Sequence, residues 1–251
     1  MNAATIQDVT TIQLQMSYSF STSPVLAPSF GYSTLPTLLA WYDPSVAGIR
    51  GYVVTYASSA LLFQGNVAGP FTMSANDYSG ISWLYPTWDF AWSSGGAVYR
   101  GYCELHVSTL VSYGSTIFDP SHSTGVHELC MVRIGDSYGV SWIDDGIQFG
   151  PIAPSSYSVH FKQYYSGPVT IWPDAWGSVS SPSLTYNYTS GKIGLFWQGG
   201  TYIRNAICTG GTWSPIGAVI PGATPSISVG APGDRGPTTE VLLSRGLSGP
   251  P

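Results

Sequence analysis

Four tryptophans close similar apolar runs along this chain, and they return at a nearly constant interval. The runs are Leu38-Leu39-Ala40-Trp41, Asp89-Phe90-Ala91-Trp92, Gly139-Val140-Ser141-Trp142 and Gly194-Leu195-Phe196-Trp197, spaced by 51, 50 and 55 residues. A polar turn follows each one: Asp43-Pro44-Ser45, Ser93-Ser94-Gly95-Gly96, Asp144-Asp145-Gly146 and Gln198-Gly199-Gly200. A second strand is then expected to open at Ile49-Arg50-Gly51-Tyr52, Tyr99-Arg100-Gly101-Tyr102, Ile147-Gln148-Phe149-Gly150 and Ile203-Arg204-Asn205-Ala206. Self-similarity at forty to fifty residues with several strands per unit is the pattern of radially repeated sheets. The expected fold is therefore all-β, a β-propeller of four blades, with five as the alternative.

The rest of the chain agrees with short strands. There are 30 Gly and 19 Pro in 251 residues, so turns are frequent and long helices are excluded. Segments such as Thr11–Met16, Tyr52–Tyr56 and Ser158–Phe161 carry the alternating or β-branched pattern of strands. Several runs are apolar at successive positions, as expected where a sheet is covered on both faces.

The last repeat, from Ser181 to Gly217, resembles a blade of sialidase-like or lectin-type β-propellers: strand, Gly turn, strand, short turn, strand, then a Gly-Thr-Trp loop. In the sialidase blade that last loop carries an acidic residue, and Thr209-Gly210-Gly211-Thr212-Trp213 has none. The resemblance covers the architecture of residues 33–217 and implies a carbohydrate-related propeller. It also implies three arginines that grip a carboxylate.

Composition narrows the partners. Only 8% of residues are charged, with 8 Lys and Arg against 13 Asp and Glu and a net charge of −5. No basic stripe exists to neutralise phosphates, so nucleic acid is not an expected partner. No apolar run reaches the length of about 20 residues needed to span a bilayer. Met1-Asn2-Ala3-Ala4-Thr5 lacks a basic region followed by an apolar stretch, so no signal peptide is expected. Residues 1–30 read as an N-terminal arm, 31–220 as the propeller, and 221–251 as a Pro/Gly-rich arm with short collagen-like triplets. Arms with few core residues suit contacts with neighbouring copies or other virion proteins.

Candidate chemistry rests on few residues. Asp89 and Glu104 are the carboxylate pair that could act as acid and base on a glycosidic bond. Arg50, Arg100 and Arg204 fall at matching places in three repeats, where guanidinium forks around one axis would suit a carboxylate. Trp83, Trp88, Trp172 and Trp176 lie beside Pro and Gly, and such aromatics can stack on sugar faces. His122, His127 and Glu128 have no metal-ligand spacing, and no metal or cofactor is expected. Cys103, Cys130 and Cys208 are read as three buried thiols, with one bridge plus one thiol as the alternative.

Two function classes follow. The first is a non-catalytic structural or attachment protein, on a virion or otherwise extracellular, presenting the propeller to a surface glycan as a homo-oligomer or larger particle. The second is a glycan-processing enzyme; a soluble lectin is a third alternative.

Overall fold

The computed structural model describes residues 25–28, 36–56, 58–65, 67, 70–76, 85–119, 125–135, 137–145, 156–176, 179–221, 228–229 and 239–240. Among them there is no α-helix, only a single 3-10 turn at Val54–Tyr56. The strands form four sheets in chain order, each an antiparallel meander. Blade 1 holds β1 (Val25–Pro28), β2 (Thr37–Asp43), β3 (Gly48–Val53) and β4 (Ser58–Gln64). Blade 2 holds β5 (Phe71–Asn76), β6 (Thr87–Ser94), β7 (Ala97–His106) and β8 (Thr109–Asp119). Blade 3 holds β9 (Val126–Ile134), β10 (Ser137–Asp145), β11 (Ser156–Gln163) and β12 (Val169–Trp176). Blade 4 holds β13 (Val179–Asn187), β14 (Lys192–Gly199) and β15 (Tyr202–Thr209). The expected β-propeller is the fold observed.

The outer strand of blade 4 is broken in two. β16 (Thr212–Trp213) pairs with the end of β15, and β17 (Gly217–Pro221) pairs with its beginning. Between them sits Pro215, which has no N–H to give the ladder. Ser214 bridges the break: its N–H donates to Ile207 O (2.9 Å), and its Oγ accepts the Ile207 N–H (3.0 Å). A further short ladder joins β18 (Ser228–Val229) to β19 (Thr239–Glu240). The first blade opens at Val25, inside the segment expected as an arm, because Val25–Pro28 pairs residue by residue with Thr37–Ala40.

Packing follows the repeat. One apolar cluster joins blades 1 and 2 and includes Leu38, Phe63, Phe90 and Trp92. A second joins blades 2 and 3 through Ala91, Val98, Phe118 and Trp142, and a third joins blades 3 and 4 through Ile143, Phe161 and Trp197. An inner strand with a blade on each side is covered on both faces, which is why β6 is buried at every position but its last. Trp41, Trp92, Trp142 and Trp197 all have 0% exposure. Trp92, Trp142 and Trp197 face the preceding blade. Trp41 lies on the other face of β2 from Leu38 and Ala40, which pack toward blade 2. The side of blade 1 away from blade 2 is therefore covered as well.

One expected element moves. The strand following Trp142 is β11, opening at Ser156, and residues 147–150 lie outside the described residues. The residues across from the four tryptophans are Arg50, Tyr99, His160 and Arg204.

Candidate functional site

The three arginines do not share one structural position. Arg50 and Arg204 oppose Trp41 and Trp197, whereas Arg100 opposes Ala91, one residue out of step. The cause is turn length. Residues 44–47 join β2 to β3, while Gly95 and Gly96 alone join β6 to β7, so an ungapped comparison slips within the hairpin. Side chains alternate between faces along a strand, so the slip sends Arg100 to the opposite face. Arg50 Nε donates to Asp43 Oδ2 (2.5 Å), and the Asp43 Oδ1 accepts the Ser45 N–H (2.9 Å). Arg204 lies over the Tyr202 ring at 5.5 Å.

The aromatic candidates separate too. Trp88 is not in a loop: it sits in β6, fully buried, and its Nε1 donates to Ala27 O (3.1 Å). A buried indole offers no face to a sugar. Trp172 and Trp176 belong to β12, opposite Val159 and Ser156. Trp83 and His122 lie outside the described residues.

The face that blade 2 turns toward blade 3 is where candidates meet. Glu104 opposes Thr87, Asp89 opposes Tyr102, and Arg100 opposes Ala91, so all three carboxylate and guanidinium groups project from one side of the sheet. Asp89 and Glu104 are diagonal cross-strand neighbours, a relation that spaces residues by about 7–8 Å. Glu104 Oε2 lies 2.8 Å from His106 Nε2, and the Tyr113 hydroxyl lies 3.3 Å from the same nitrogen. Tyr85 stacks on the His106 ring at 3.9 Å, and Tyr102 stacks on Tyr113 at 4.9 Å. Burial, and then the Glu104 charge, push the Tyr113 hydroxyl above its ordinary pKa.

A bulge shapes this face. The β7–β8 register shifts between Arg100 and Tyr102, leaving Gly101 unpaired in that ladder. A Cβ on Gly101 would collide with the Phe63 ring and the Gly114 carbonyl, and Gly114 itself has φ +64°. Such bulges re-aim neighbouring side chains.

Arg100 reaches across to blade 3. Its Nη1 donates to the Tyr138 hydroxyl (3.2 Å), and its Cζ sits 4.2 Å from the centre of the Tyr164 ring. Burial works against its charge, but the Tyr138 and Tyr164 hydroxyls outweigh burial and raise its pKa. Burial also pushes the Tyr138 hydroxyl well up. Beside Arg100, Lys162 Nζ donates to Phe118 O, lies 3.7 Å from Asp119 Oδ2 and sits 4.8 Å over the Phe118 ring. Arg100, Phe118, Lys162 and Tyr164, with Ile117, Tyr165 and Ser166, line a cavity of about 300 Å³. Across the Tyr164–Gly167 turn, Ser166 also borders a second cavity of about 330 Å³, between blades 3 and 4. Phe161, Tyr186 and Trp213 supply its aromatic wall, with Phe161 and Trp213 edge to face at 5.1 Å.

Sequence reasoning missed Lys162, Tyr164 and Tyr165. The available signal was that Lys162 is one of only two lysines, beside a Tyr-Tyr-Ser-Gly turn. Other candidates have structural settings. Glu128 Oε2 accepts the Ser181 N–H of blade 4 (2.5 Å), and His127 meets the edge of Tyr157. No three His, Cys, Asp or Glu among the described residues could hold a metal ion. All three cysteines are free thiols, with Cys103 and Cys208 buried. Burial pushes the Cys130 thiol up to about 12. No helix among the described residues is long and apolar enough to cross a membrane.

No family model matches the chain, and no curated protein sequence matches it either. Among solved structures, the crystal structure of an endo-arabinase from Bacteroides thetaiotaomicron VPI-5482 is similar, with a TM-score of 0.50 and 10% identity. The likeness covers 91% of this chain and 99% of that one. At that identity it speaks for the propeller fold alone.

Proposed function

We propose that this propeller recognises glycans through the cleft between blades 2 and 3, without turning them over. The observation that carries the reading is the cavity at the Tyr164–Gly167 turn, walled by the Phe118, Tyr164 and Tyr165 rings and edged by Arg100, Lys162 and Ser166. Aromatic faces with a few placed polar groups suit the apolar and hydroxylated sides of a sugar ring. Display on a virion or another homo-oligomeric particle belongs to the same proposal and rests on the low charge and the two terminal segments. A glycan array probed with the full chain tests recognition. Binding to a related group of saccharides is expected, lost in Tyr165→Ala; an array without any binding overturns the reading.

One observation favours glycan processing as a second reading: Asp89 and Glu104 share one face as diagonal neighbours. Inverting glycosidases space their carboxyl groups by about 6.5–9.5 Å. On this reading the full chain hydrolyses aryl glycosides or arabinan, and Glu104→Gln and Asp89→Asn each abolish turnover while the protein stays folded. Glu104 is already engaged by His106, which favours recognition over turnover.

A further inference from the structure

Two cations from different blades meet at the cavity between blades 2 and 3. The whole chain carries 8 Lys and Arg and a net charge of −5. Yet two of those cations, from different blades, line one cavity of about 300 Å³. Arg100 forms no ion pair among the described residues: its partners are the Tyr138 hydroxyl and the Tyr164 ring. Lys162 has Asp119 at 3.7 Å, a loose pairing, and Asp89 is a diagonal neighbour of Arg100 on the same face of blade 2. The guanidinium is held in place from two sides, because Tyr164 in turn stacks on Tyr138 at 5.2 Å. A fixed planar fork of N–H donors beside a second cation matches a carboxylate.

The rim adds a second, independent observation. Tyr165 has φ +70° and is 89% exposed, and its ring centre lies 3.8 Å from that of Tyr164. A bulky side chain in the left-handed region is an outlier that costs energy. The turn is otherwise well tied: Ser166 Oγ donates to Gln163 O (2.7 Å), and the Ser166 N–H also donates there (2.9 Å). The strain holds a phenol ring over solvent at the lip of a cationic cavity.

We infer that this cavity takes an acidic saccharide, seating a sugar carboxylate on Arg100 and Lys162 while a neighbouring ring lies against Tyr165. The inference rests on the glycan-recognition reading and names the class of sugar that reading leaves open. A volume near 300 Å³ is at the lower end for small-molecule sites, which suits one charged sugar unit inside and the rest of the chain outside.

The test is calorimetry on the full chain with three trisaccharides of one linkage: galacturonate, neutral galactose and 6-sulfated galactose. The galacturonate is expected to bind at least about tenfold more tightly than the neutral sugar, with affinity falling as salt rises. Arg100→Gln and Lys162→Met should each remove most of that preference. Because Arg100 also ties two blades, Arg100→Lys serves as the check: it keeps charge, loses the fork, and should bind the galacturonate more weakly while melting like the parent. Preference for the sulfated sugar over the galacturonate overturns the carboxylate assignment. Equal binding of neutral and acidic sugars overturns the acidic-sugar inference and leaves glycan recognition standing. Failure of all three, together with an empty glycan array, removes the recognition reading itself.

Discussion

At the scale of single residues, the repeated tryptophans and their cross-strand partners set the stability of each hairpin. Trp142 stacks on His160 at 5.3 Å, and Trp92 stacks on Tyr99 at 6.1 Å. In blades 1 and 3 the sequence Trp-x-Asp adds a polar link: Asp43 takes Arg50, and Asp144 Oδ1 lies 3.0 Å from His160 Nε2. Replacing Trp92, Trp142 or Trp197 by Ala should cost about 3–5 kcal/mol, as for other large aromatic core deletions. Chemical denaturation of each variant checks this, and a loss below about 1 kcal/mol would contradict the burial described. Asp43 carries a pH signature. Hydrogen bonds from Ser45 and Arg50 hold its pKa below the ordinary 3.8. A depressed carboxyl stabilises the fold above its unfolded value and loses that contribution as pH falls through the folded one. The stability gap between the parent and Asp43→Asn should therefore be full near neutral pH and close only below 3.8, as followed by urea midpoints across pH.

At the scale of elements, turn chemistry and the bulge decide register. Gly95 and Gly96 have φ of +56° and +80°, the two-residue turn whose twist suits a hairpin. A Cβ on Gly95 would meet nothing within 4 Å, so Gly95→Ala should cost only its backbone strain, about 1–2 kcal/mol. Gly101→Ala is a different case, since its Cβ would drive into Phe63 and Gly114 O. It should lose more stability than Gly95→Ala and also disturb the cleft, because Arg100 and Tyr102 flank it. Comparing the two midpoints, and the galacturonate affinity of each, separates a local turn effect from a bulge effect.

The same elements show what could be read from sequence. The four tryptophan hairpins are legible because a buried indole recurs at one place in every blade, in blades 2 to 4 on the side facing the previous blade. The sequence sets Arg100 level with Arg50 and the structure does not, because the two turns differ in length and hydrophobic spacing does not reveal which residues pair. Trp88 looked like a loop residue because Pro86 precedes it closely, yet β6 begins at Thr87 and buries both faces. Asp89 and Glu104 were paired from sequence, and the register puts them on one side of blade 2. The cleft itself was out of reach, since Lys162 and Tyr165 approach Arg100 only through the packing of two blades.

At the scale of the whole molecule, the tryptophans report on the ring. Trp92, Trp142 and Trp197 each press on the preceding blade, and Trp41 is fully buried on the corresponding side of blade 1. Trp41→Ala should therefore destabilise the chain as much as the other three, not less. Truncation gives a second test. Deleting residues 1–30 removes β1, bares the edge of β2 and takes away the Ala27 carbonyl that Trp88 bonds. That deletion should lower the melting temperature more than deletion of residues 1–24, which leaves β1 in place.

On the proposed reading the cleft between blades 2 and 3 is the recognition face of this propeller. Hydrogen–deuterium exchange on the full chain, with and without the tightest glycan from the array, addresses it most directly. Protection on binding is predicted in β8 near Thr116–Phe118 and in the turn from Lys162 to Gly167, with the turns at residues 44–47 and 95–96 unchanged. Protection confined to those distant turns, with the Lys162–Gly167 segment unaltered, would contradict the account.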